Sequence, residues 1–120
     1  MANPHRGESR FSVGDKEFTL RLTNNVRCEL EKMLGDGIPA ILSRWSEGKW
    51  TDTELRAMFW GALKTRHQKV SLQEAGELID EAGAAVVVGA IAEAYLASQP
   101  SASGNTDGNP PRESGTGPGS

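Results

Sequence analysis

The chain has 120 residues, enough for one domain, with 37% hydrophobic and 24% charged residues and a net charge of −3. That balance argues against wrapping a polyanion through bulk charge, and the longest apolar run, Ala84–Ala92, is broken by Gly89 and too short to span a bilayer. A single cysteine, Cys28, excludes an intrachain disulfide and fits a reduced, cytoplasmic protein, while the opening MANPHRGESR lacks the apolar stretch of a signal peptide.

Residues 1–8 are expected to be flexible. Arg10–Val13 and Lys16–Leu22 then flank Gly14-Asp15. Phe11 and Val13 alternate with polar residues, as do Phe18, Leu20 and Leu22, which is the period of half-buried strands. Gly14 at the first central position suits a type II′ hairpin. Such a hairpin is marginal alone, so its apolar face must sit on other elements.

Thr23 is placed to cap a helix carrying Val26, Leu30, Met33 and Leu34, which Gly35 and Gly37 end. Ile38-Pro39 opens a short second helix with Ile41, Leu42 and Trp45 on its apolar face, closed by Gly48. Thr51-Asp52-Thr53-Glu54 reads as a capping box, with Trp50 as a staple onto Leu55. Leu55, Met58, Phe59, Ala62 and Leu63 follow in the clearest amphipathic pattern of the chain. A second capping box, Ser71–Glu74, leads into Leu72, Ala75, Leu78, Ile79 and Ala82. Gly83 separates this helix from a last one over about 84–97, which is apolar around most of its surface and so expected to be central or covered by a partner. From Ser98 the sequence contains no large apolar residue and is expected to be disordered. The predicted organisation is a flexible 1–8, a domain over 9–97 and a Ser/Gly/Pro-rich tail over 98–120. The predicted fold is mainly α with a small β part: an N-terminal hairpin on a bundle of four or five helices. A core of roughly 90 residues supplies only about 5 kcal/mol, which leaves room for a partner or for self-association.

Little in the chain points to catalysis or to a cofactor. Cys28, His5 and His67 form no nucleophile–base pair along the sequence, and Cys28 is expected to be a packing residue. Glu74, Glu77, Asp80 and Glu81 lie close along one helix and are expected to form a solvated face rather than a metal site. Gly35-Asp36-Gly37 lacks the Lys and Ser/Thr of a phosphate loop. Lys64, Arg66, His67 and Lys69 cluster between the third and fourth helices. A DNA-reading helix-turn-helix there would present acids to phosphates, so nucleic acid is not expected and the cluster reads as a solvated turn. Trp60 lies off the apolar stripe of its helix and is a candidate either for packing under the hairpin or for an interface. Gly61 beside it costs helix propensity, which close approach by another backbone would explain.

The hairpin, the Cys28-Glu29-Leu30-Glu31 run, the Trp60-Gly61 pair and the segment Val70–Ile79 followed by Asp80-Glu81-Ala82-Gly83 occur in an order that resembles a known family. Its members are small proteins encoded between the tail genes of gene transfer agents and related siphophages. They are similar to tail assembly chaperones, although some descriptions label them tail tube proteins. The resemblance covers about residues 4–97. It implies a non-enzymatic, cofactor-free assembly factor that binds the tape measure protein and helps bring tail tube subunits onto it. Such factors work in the cytoplasm of the producing cell and typically leave the finished particle. A structural tube or connector subunit, particle-associated, is the alternative, and a helical DNA-binding regulator a further one. Tube subunits form rings through extended sheets, and one hairpin is too little for that. The expected partner surface is a groove on the last helix, formed by Val86, Val87, Ile91 and Tyr95 with Trp60 at its edge, taking an amphipathic helix.

Overall fold

Apolar–polar alternation folds back on itself at Gly14-Asp15 in the computed structural model, which describes residues 7–99. Strand β1 (Glu8–Val13) pairs antiparallel with β2 (Lys16–Arg21), with Phe11 opposite Phe18 and Val13 opposite Lys16. Gly14 takes φ +62°, the positive value a primed hairpin turn needs. Phe11, Val13 and Leu20 are buried on the inner face. Two boundaries differ from expectation. The first strand begins at Glu8, because Glu8 pairs with Arg21 and is held by the Arg66 guanidinium. The second ends before Leu22, because Gly7 opposite it turns away at φ +85°, and the Leu22 carbonyl instead accepts from Arg27 Nη1 at 2.6 Å. The expectations for 1–6 and 100–120 lie outside the described residues.

Five helices follow among the described residues: α1 (Asn24–Leu34), α2 (Ile38–Ser46), α3 (Asp52–Lys64), α4 (Leu72–Ala82) and α5 (Ala84–Ala97). Their ends are chemically specified. Thr23 Oγ1 accepts from the Val26 amide, and Gly35 closes α1 at φ +75°. The Ser71–Glu74 box is complete in both directions. The box at Thr51 is only half made. Its Glu54 carboxylate turns instead to Arg44 Nη2 at 2.6 Å and to Trp45 Nε1 at 3.2 Å, tying α2 to α3. Burial opposes ionisation of Glu54, but the hydrogen bonds from Trp45 and Arg44 outweigh it and hold the carboxyl below the usual glutamate range.

The core is organised around α3, where seven of thirteen residues are buried, on more than one side. It packs against α1, α4, α5 and β2. Phe59 meets Phe11 of the hairpin edge to face, with ring centroids 5.3 Å apart. Gly61 is where α1 closes in, and the approach is by a side chain, not the backbone expected. A β-carbon on Gly61 would lie 2.7 Å from Leu30 Cδ1. Leu30 is itself buried and cannot swing aside.

Gly61→Ala is therefore expected to lower stability by about 1 kcal/mol, overpacking outweighing the gain in helix propensity. In a Leu30→Ala background the same change should be neutral or stabilising, which urea denaturation of the four proteins would establish. A second expectation concerns acid. Because the folded Glu54 carboxyl titrates below its unfolded value, its contribution is present above the ordinary glutamate pKa of about 4.3 and is lost as pH falls through the folded value. Glu54→Gln should cost about 0.5–1 kcal/mol at neutral pH, the partly open ion pair being screened, and should flatten the acid limb of a stability–pH profile.

Candidate interaction surface

The residues expected to form one groove on the last helix fall on different sides of it. Val87 and Ile91 are fully buried in the core, where α5 packs on α3 and on both strands. Val86 is 56% exposed, and Tyr95 is half-buried. Trp60 is engaged within the chain: its indole Nε1 donates to the Val70 carbonyl at 3.1 Å, and the Lys64 ammonium sits over its ring at 4.6 Å. It thereby staples α3 to the loop before α4. The hydrophobic helix is thus half core, half surface, whereas the amphipathic α3 is the central one.

What α5 does present is its outer side. Ala85, Gly89 and Leu96 are exposed and Ala92 is half-buried beside them, at spacings of four, three and four residues. This is a seam of the kind one helix offers another. Val86 and Glu93 flank it and are also exposed. The sequence pattern alone does not single out Ala85, Gly89 or Leu96. The signal for them was available: once Val87, Ile91 and Ala94 are assigned to the core, helical geometry puts this set opposite. Met33, at helical spacing with Val26 and Leu30 on α1, is a third exposed large apolar residue, at 51%.

The remaining candidate chemistry is used inside the fold or faces solvent. Cys28 is exposed rather than packed, since Val26 and Leu30 on either side point inward and put it on the far side of α1. The basic cluster is a solvated turn only in part: Arg66 and Lys69 are exposed, but three of its members also bond within the fold. His67 Nε2 accepts from the outward-facing amide of Thr19 at 3.0 Å, and its ring meets Phe18 edge to face. Arg66 holds Glu8, and Lys64 bonds Glu29 Oε1 at 3.0 Å. Arg66 and His67 lock the hairpin onto the loop after α3, and Lys64 ties α1 to the end of α3. The acids of α4 are all exposed, as a solvated face requires. Among the described residues no group of acids, histidines and cysteines could hold a metal ion, and no helix is long and apolar enough to cross a membrane.

The described residues thus form a hairpin locked on a five-helix core. Residues 6–98 match the family described as phage tail tube protein, GTA-gp10. The chain belongs to that family, and so to the tail proteins of phages and gene transfer agents. No curated protein and no solved structure matches it.

The division of α5 predicts two outcomes. Ile91→Ala is expected to cost about 2–5 kcal/mol by opening a core cavity. Val86→Ser and Leu96→Ser should each change stability by no more than about 0.5 kcal/mol, since both residues are more than half exposed. Thermal and urea unfolding of the three variants would check this.

Proposed function

We propose that this chain is a chaperone-like tail assembly factor that binds the tape measure protein and assists the assembly of tube subunits around it. Membership of a phage tail family gives a structural or assembly role in the tail. The observation that favours assembly is the outer side of α5. A folded core of this size leaves a helix-long apolar seam uncovered, in the form suited to a partner helix. The small strand content points the same way. The one sheet among the described residues is a two-stranded hairpin, and an outward amide of its second strand already bonds His67. A ring-lining subunit needs strand edges open to its neighbours.

The family's own description as a tube protein supports the second reading, a structural subunit retained in the particle. The two differ in where the protein ends up. On the assembly reading it acts in the cytoplasm of the producing cell and meets the tape measure and tube proteins there. No catalytic step or cofactor enters either reading.

Quantitative mass spectrometry of purified particles beside the producing-cell lysate separates them. The expected result is abundance in lysate, co-purification with the tape measure protein, and absence from particles. A fixed, high copy number per particle would make the chain a structural subunit.

A further inference from the structure

The outer side of α5 belongs to a stretch of sequence with one charge sign, and the nearest cation shown against α4 is Arg56 of α3, whose side chain reaches Gly76. From Val70 to Gln99 the chain contains five acids, Glu74, Glu77, Asp80, Glu81 and Glu93, and no Lys or Arg. The rest of the chain is net positive, since the total is only −3. All five acids are exposed. Several acids elsewhere among the described residues are paired within the fold, as Glu8, Asp36, Glu54 and Glu29 are, although Asp15 and Asp52 are not. Among the described residues no Lys or Arg lies within ion-pair distance of Glu77, Asp80, Glu81 or Glu93. Asp80 and Glu81 also sit in the last turn of α4, where no basic residue answers the helix dipole and a negative charge is disfavoured.

We propose that the α4–α5 outer side docks a basic amphipathic helix, its apolar stripe on the α5 seam and its Lys or Arg residues over the acids of α4 and Glu93. The proposal deepens the assembly reading and rests on it only for the identity of the natural partner. The seam from Ala85 to Leu96 is about 16 Å long, three turns of a facing helix. Its small residues let the partner's axis come close: a β-carbon on Gly89 would meet nothing within 4 Å. Leu96 and Val86 supply the larger apolar contacts, both more than half exposed in the free chain.

Charge and composition decide against the other occupants. A second copy docking through α5 would bring no Lys or Arg from its own 70–99 stretch to answer these acids. The chain's own residues 100–120 contain no Val, Ile, Leu, Met, Phe, Tyr or Trp, so they have nothing to bury on the seam.

The test uses the full chain and fluorescence anisotropy with three labelled synthetic peptides of about 18 residues, long enough to form a helix on binding. One has leucines at helical spacing with lysines between them. The second carries glutamates in place of the lysines, and the third keeps the lysines but scrambles the leucines. The first should bind at least about tenfold more tightly than either control. Val86→Ser with Leu96→Ser should weaken it about tenfold without changing charge. Glu77→Gln, Asp80→Asn and Glu81→Gln together should weaken it and reduce its salt dependence. Equal binding of the scrambled peptide, or no effect of the Val86 and Leu96 changes, overturns the proposal. So does a self-association, seen in sedimentation, that those two changes abolish. The probes contain no tail protein, so the outcome does not depend on whether the chain leaves the particle. Conversely, a tape measure protein that co-purifies equally with the Val86→Ser, Leu96→Ser variant leaves the assembly reading standing and removes this surface.

Discussion

The contact between Leu30 and Gly61 sets the distance between α1 and α3, and the rest of the domain is arranged around that distance. Any side chain at position 61 would press on Leu30, because its first carbon already falls well inside van der Waals contact distance of the Leu30 methyls. With α1 drawn in on one side, α3 still has Leu55, Met58, Phe59, Ala62 and Leu63 for its other neighbours. The hairpin, α4 and α5 take those places. A helix used from several sides at once needs small residues where neighbours press closest, and Ala57 and Gly61 are such residues.

Around that centre, polar contacts fix orientation more than they add stability. Arg44 joins Asp36 and Glu54, Arg66 joins Glu8, and His67 reaches the Thr19 amide. Each links segments that the apolar core alone would let slide. The Thr19 bond has a further effect, since an unpaired strand edge invites pairing with another chain. Filling an edge position with a ring nitrogen from a distant loop makes the hairpin a poorer template for such pairing.

Much of the local structure was legible in the sequence, because local chemistry writes it. The alternation of Phe11 and Val13, the turn at Gly14, the Thr23 cap and the Ser71–Glu74 box each depend on residues a few positions apart. The helix count followed from the same signals. Which helix would be central was not legible. Periodicity reports where polar residues fall, and α3 carries several that lie at the rim or, like Glu54, bond to neighbouring helices. The apolar character of α5 pointed to burial, yet its residues divide between core and solvent. The residues expected on one partner surface divide in the same way: Val86 is exposed, Tyr95 and Trp60 are half-buried, and Val87 and Ile91 lie in the core. The roles of Arg66 and His67 were hidden because their partners lie 58 and 48 residues away. Family membership, by contrast, was legible from the order of several short motifs, none informative alone.

The first strand and the last helix pack against each other. The hairpin and α3 are therefore not fully covered before α5 has been made. At synthesis rates of about 5–20 residues per second, the inner face of the hairpin and much of α3 wait several seconds for their final cover. During that interval the nascent polypeptide exposes more apolar surface than the mature protein does. A protein read here as a guardian of another chain thus passes through a brief state in which it needs guarding itself.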